Sequence, residues 1–187
     1  MKKFTTVLML ASISACTPFM AATTKGPIKE NYGERTFGST IEDSTIESKT
    51  KINIKRANPR LEDAHIVVKS YNQVLLIIGQ VPTQQDKAIV TSVAENIRHV
   101  KRVHNELEVG PNTSFMTRTN DELLVAKIKA RFIGTNDVVA GRIEVLVENG
   151  VVFLMGLVTQ DEANRAVSAT KKASGIKKIV KVFEYIP

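Results

Sequence analysis

Val74-Leu75-Leu76-Ile77-Ile78-Gly79-Gln80-Val81 recurs as Val151-Val152-Phe153-Leu154-Met155-Gly156-Leu157-Val158, at an offset of 77 residues. Both runs are apolar, of strand length, and interrupted by one glycine. Self-similarity at a fixed offset marks two copies of one folding unit. The match extends outward in both directions. His65-Ile66-Val67-Val68 aligns with Arg142-Ile143-Glu144-Val145 at the same offset, and Val100-Lys101-Arg102-Val103 aligns with Ile176-Lys177-Lys178-Ile179 after a one-residue gap. The copies are bounded as residues 43–110 and 120–187. Residues 111–119, with Pro111, Asn112 and Ser114, form the linker.

Within each copy the hydrophobic period changes in a fixed order. Leu124, Ile128 and Phe132 recur at helical spacing, matched in unit one by Ile46, Thr50 and Ile54. This is one stripe of an amphipathic helix. Two strand-like runs follow, and in unit two they flank Asn149-Gly150, the strongest short hairpin signal. Unit one has the weaker Asn72-Gln73 there. A second helix opens at Thr159-Gln160-Asp161-Glu162, with the spacing of a capping box, and is expected to run to about Ser174 before Gly175. A last strand carries Ile179, Lys181 and Phe183, matching Val103, Asn105 and Leu107. The order αββαβ, twice, predicts an α+β fold in which two helices pack on a three-stranded sheet in each unit. Leu124, Ile128, Phe132, Val145, Val152 and Phe183 are the expected core of the second. Gly79 and Gly156 predict a bulge or a close backbone contact with a crossing helix; the alternative is a ligand against bare backbone.

The amino terminus carries a different signal. Lys2 and Lys3 precede a short apolar run, Val7 to Ala11, and small residues lead to Cys16. Residues 1–15 read as an export signal, too short to span a bilayer. Ile13-Ser14-Ala15-Cys16 resembles the bacterial lipobox, which makes Cys16 the expected site of lipidation, palmitate included. Thr17 follows it, where sorted lipoproteins retained in the inner membrane are associated with aspartate. That resemblance implies the outer membrane. Residues 16–42, rich in glycine and proline and without apolar period, read as a flexible tether.

The doubled αββαβ unit, with glycine in its second strand and Gly175-Ile176-Lys177-Lys178-Ile179 before its third, resembles the BON domain. Unit one departs from the pattern with His99 in place of that glycine. Together with the lipobox, the chain resembles the dual BON-domain outer-membrane lipoproteins. The resemblance implies a protein on the periplasmic face that supports envelope integrity, near division sites. It also implies phospholipid binding by the second domain, and outer-membrane assembly or division-site proteins as partners.

Composition agrees with a binding protein. The 187 residues carry a net charge of +7, which favours anionic partners. One cysteine and three histidines exclude disulfide scaffolds and zinc fingers. No nucleotide, zinc-protease or serine-hydrolase motif occurs, so no enzyme activity and no cofactor is expected. Export argues against nucleic acid. His65, His99 and His104 have no counterparts in unit two and read as surface or turn histidines. Lys171, Lys172, Lys177 and Lys178 form a basic cluster, read first as a solvated face.

The first helix of unit two has more apolar surface than one core needs. Besides the stripe of Leu124, Ile128, Phe132 and Val125, a second strip of Leu123, Ala126, Ala130 and Ile133 occupies about 80° of arc. Lys127 and Arg131 border it on one side and Lys129 on the other. Unit one has Thr45, Ser48, Ile52 and Lys55 at these places. Apolar residues edged by cations suit an anionic phospholipid membrane. Leu123, Ala126, Lys127, Lys129, Ala130, Arg131 and Ile133 are therefore the expected contacts, and packing against unit one or a second molecule is the alternative.

Overall fold

The computed structural model describes residues 31–187. Its elements are α1 (Phe37–Ala57), β1 (Ile66–Tyr71), β2 (Val74–Val81), α2 (Gln84–Glu95), β3 (Arg102–Asn105), β4 (Glu108–Val109), α3 (Phe115–Ile133), β5 (Ile143–Glu148), β6 (Val151–Val158), α4 (Gln160–Lys171) and β7 (Lys178–Tyr185). Short 3-10 turns at Pro59–Leu61 and Ala140–Arg142 precede β1 and β5. Each unit has its own sheet, with β2 central between β1 and β3 plus β4, and β6 central between β5 and β7. The first pair in each sheet is antiparallel and the second parallel. The expected export signal, Cys16 and most of the expected tether lie outside the described residues.

Tight turns fix the register of both hairpins. Asn149 and Gly150 have φ of 50° and 76°, and Asn72 and Gln73 have 50° and 69°. This left-handed pair matches the twist of the strands. A buried aspartate from each unit's first helix secures the turn. Asp121 accepts from the backbone N–H groups of Asn149 and Gly150, each at 2.8 Å. Asp43 accepts from those of Asn72 and Gln73 at 2.9 and 2.8 Å, and from the Ser70 hydroxyl at 2.7 Å. Arg35 pairs with the same carboxylate at 2.9 Å and stacks 3.9 Å above the Tyr71 ring.

The strand glycines mark a close backbone approach, though to the residue that leads into the neighbouring strand rather than to a crossing helix. A Cβ on Gly79 would collide with the carbonyl oxygen of His65, and one on Gly156 with that of Arg142. Gly79 also has φ of 121°.

Alternate residues of each central strand serve two cores. Leu75, Ile77 and Val81 pack with Ile46, Ile54, Val90 and Ala94 from the unit's own helices. Val152, Leu154 and Val158 pack with Leu124, Ile128, Phe132, Val145 and Phe183, the expected core of unit two. The intervening residues meet between the sheets, where Tyr71, Val74, Leu76 and Ile78 pack against Phe153, Met155, Leu157 and Val182. The result is four layers, helices outside and two sheets face to face. All three of these clusters are built from residues of Tyr32–Pro187, which forms a compact unit.

Polar contacts at the rim relate the units by approximate twofold symmetry. The Tyr71 hydroxyl donates to the Arg142 carbonyl at 2.9 Å, and His65 Nε2 lies 3.2 Å from Glu148 Oε2. His65 aligns with Arg142 and Tyr71 with Glu148, so equivalent positions meet twice, as in an isologous interface. His65 is thus a half-buried interface residue, not the surface or turn residue expected. Glu148 also accepts from Gln80 at 2.8 Å and Thr113 at 3.2 Å. The linker is fastened: Asn112 accepts from His65 N and donates to Asp63 O, while Thr113 N donates to Gln80.

Element ends depart from expectation for local reasons. α1 begins at Phe37, within the stretch read as tether, and α3 at Phe115, within the stretch read as linker. Thr36 and Ser114 cap them, accepting from Ser39 N and Thr117 N. Their first turns face solvent and therefore add nothing to the apolar period. α4 ends at Lys171 rather than near Ser174, and a turn then leads to Gly175 at φ 97°. His99 takes the same left-handed conformation in unit one, at φ 70°, with its ring bonded to Glu42 at 2.8 Å. The last strand of unit one is split because Asn105 turns inward, donating to Lys87 O and Thr91 and accepting from Leu107 N.

Candidate functional site

α3 packs on its sheet through Asp121, Leu124, Ile128 and Phe132, all buried. A 100° advance per residue then turns a second face outward. Leu123 is 55% exposed and Ile133 81%, and Ala126 and Ala130 between them are also exposed. Neither unit one nor any other described element covers this strip.

The strip is longer than the sequence suggested. Phe115 and Met116, 78% and 68% exposed, fall on the same arc one turn into the stretch read as linker. Counting them, Phe115, Met116, Leu123, Ala126, Ala130 and Ile133 share about 100° of the helix surface. They run its whole length, about 28 Å at 1.5 Å per residue. Only the cap at Ser114 signals that the helix begins early enough to include them.

Its cations are placed unequally. Lys127 and Arg131 are exposed and form no ion pair among the described residues. With Ala130 they border a shallow depression closed on its far side by Ala173 and Ser174 from the end of α4. Lys129, across the strip, is bonded to Glu144 at 3.2 Å, which offsets part of its charge.

The corresponding face of α1 is chemically different. Phe37, Ile41 and Ile52 are exposed there, but Thr40, Ser44, Thr45 and Ser48 separate them. The four hydroxyls donate to carbonyls of their own helix at 2.9 to 3.2 Å. The helices lie on opposite outer layers, so one flat surface cannot engage both.

Two titratable groups outside this face are shifted by their surroundings. Arg60, hydrogen-bonded to Asp86 at 3.0 Å, holds that carboxyl below the usual range, helped by the Thr83 hydroxyl at 2.6 Å. Burial, then the charge of Arg102, lowers His104. Among the described residues no group of three or more His, Cys, Asp or Glu could hold a metal ion, and no helix is long and apolar enough to cross a membrane.

Comparison with known proteins is consistent with the doubled unit. The BON domain profile matches residues 42–111 and again 120–187. The chain is 38% identical over 152 residues to the outer membrane lipoprotein DolP of Haemophilus influenzae, covering 81% of this chain and 79% of that protein. It is 28% identical to the 21 kDa hemolysin of Actinobacillus pleuropneumoniae, over 81% of this chain and 78% of the relative. It is 27% identical to the osmotically-inducible protein Y of Escherichia coli, over 76% and 72%.

Proposed function

The chain belongs to the BON-domain family, in two tandem copies, and on that premise we propose that it is a non-enzymatic outer-membrane lipoprotein whose second unit binds anionic phospholipid through α3. Cys16 carries the lipid anchor, and the folded body faces the periplasm. The likeness to an outer membrane lipoprotein over most of both chains supports the location. Support of envelope integrity, near division sites, is the physiological setting of this reading.

The observation that carries the lipid reading is the uncovered apolar strip on α3, bordered by cations, where α1 has hydroxyls. A helix of this kind lies in the plane of the bilayer interface with its apolar side immersed. Lys127 and Arg131 each contribute roughly 1 kcal/mol near an anionic surface. Partial burial of Leu123 and Ile133 adds about 1–2 kcal/mol each. These are weak contacts singly, and a lipid anchor makes them sufficient by raising the local concentration. With α3 on the bilayer, the α1 and α2 layer faces away from it and is open to protein partners.

Binding of Tyr32–Pro187 to vesicles of graded phosphatidylglycerol content tests the reading. Affinity should rise with phosphatidylglycerol and fall with salt. Leu123→Ser with Ile133→Ser should weaken binding without changing the melting temperature. If that variant binds as the parent does, α3 is not the membrane contact, and the strip serves a protein partner of outer-membrane assembly instead.

A further inference from the structure

A cleft of about 430 Å³ lies between the end of α4 and the start of β7, and the α3 strip does not use it. It is as open to solvent as the depression beside Ala130, so a group bound there rests on the surface and is not enclosed. Lys171, Lys177, Lys178 and Lys181 form its rim, Val167 and Ile176 contribute an apolar floor, and no acidic side chain lines it. All four lysines are exposed, and none makes an ion pair among the described residues. Lys177 is held in place by a 2.8 Å bond from its ammonium to Asn149 Oδ1. Like charges gathered this way repel one another, and a bound anion relieves that repulsion.

Unit one supplies an internal control, because the same fold there lacks the cluster. Glu95, Lys101, Arg102 and Asn105 stand where unit two has Lys171, Lys177, Lys178 and Lys181. Four cations in one copy therefore correspond to a net single positive charge in the other. At the neighbouring turn His99 is bonded to Glu42, where unit two has Gly175. Packing of helix on sheet does not require the lysines, since unit one does without them.

Position supplies the second argument. Ala173 lines this cleft and also the depression beside Lys127, Ala130 and Arg131 on α3. The two surfaces are contiguous. A single helix lying in a bilayer interface is free to roll about its axis, and a contact off that axis stops the roll. We propose that the cleft takes the phosphate of an anionic phospholipid headgroup and so fixes the orientation of unit two on the bilayer. The proposal rests on the reading of α3 as the bilayer-facing helix.

The test compares two variants of Tyr32–Pro187 on phosphatidylglycerol vesicles. Replacing Lys171, Lys177, Lys178 and Lys181 together by glutamine removes the four charges and leaves an unbranched polar side chain at each exposed position. Affinity should fall by about tenfold or more, at roughly fivefold for each lysine fully engaged, and its salt dependence should become shallower. Lys101→Gln with Arg102→Gln, in unit one, should leave the affinity as it was. Amide resonances of Gly175 and Ile176 should shift on addition of short-chain phosphatidylglycerol in the parent and not in the glutamine variant. If inorganic phosphate produces the same shifts at the same concentration, the cleft is a free-phosphate site and the headgroup assignment is overturned. If the glutamine variant binds vesicles as the parent does while Leu123→Ser with Ile133→Ser does not, the cleft proposal fails and the α3 reading stands. The reverse result overturns the α3 reading and leaves the cleft as a headgroup site in its own right.

Discussion

Two residues of unit one show its copy of the fold strained at one point and stabilised at another. Gln73 holds φ of 69° at the turn position where unit two has Gly150. A side chain in this region costs roughly 1–2 kcal/mol, partly offset by the greater entropy glycine loses on folding. Gln73→Gly should therefore stabilise the protein by about 1 kcal/mol in urea unfolding, and a loss of stability would show that the Gln73 side chain makes a compensating contact. Asp86 carries the opposite lesson, because its buried charge is fully partnered. Its carboxylate is buried and receives Arg60, Thr83 and Asn58. Arg60 first, then Thr83, hold its pKa below the usual aspartate value. Below about pH 4 the unfolded chain takes up this proton more readily than the folded one. The stabilisation is thus complete above that pH and is lost as pH falls through the lowered value. Asp86→Asn should be less stable at neutral pH and show a shallower loss on acidification. Parallel curves for the two proteins would remove Asp86 as a source of the acid sensitivity.

Among the elements, α1 and α3 share a fold position and differ in what they leave exposed. The stripe of Leu124, Ile128 and Phe132 and the second strip through Leu123 and Ile133 were both legible, because each repeats at helical spacing. Phe115 and Met116 were not, because the pattern has no way to distinguish a solvent-facing first turn from a linker. Only the serine cap distinguishes them. The absence of tryptophan from the chain makes each helix easy to probe. Single substitutions Phe115→Trp, Ile133→Trp, Ile41→Trp and Ile52→Trp all place the indole at exposed positions. On anionic vesicles the two on α3 should blue-shift, since an indole settles at the headgroup boundary. The two on α1 should not, because that helix lies on the opposite layer. A shift at Ile41→Trp as large as at Ile133→Trp would mean that the molecule has no preferred face.

At the scale of the whole molecule, the repeat told of two units but not of the interface that joins them. The clue was present in the continuous apolar runs of β2 and β6. A strand covered on one face alternates, whereas these have both faces buried, as strands covered on two sides do. One sequence cannot say what covers the second face, because a helix, a sheet or another molecule would ask for the same residues. Here it is the other unit's sheet, with Phe153 and Met155 against Leu76 and Ile78. The consequence is energetic coupling. Neither unit can unfold without exposing the sheet face of its neighbour, so Tyr32–Pro187 should unfold in one transition, with calorimetric and van't Hoff enthalpies in agreement. Phe153→Ala removes a large side chain from the centre of that interface and should cost about 3–5 kcal/mol. A charge in its place does more, because a buried unpaired carboxylate drives the sheets apart while leaving each unit's helix-facing core intact. Leu76→Asp with Ile78→Asp should therefore split the transition in two and raise hydrogen exchange in β2 and β6 together. Two separate transitions in the parent protein would show that the units are independent and that the sheet interface contributes little.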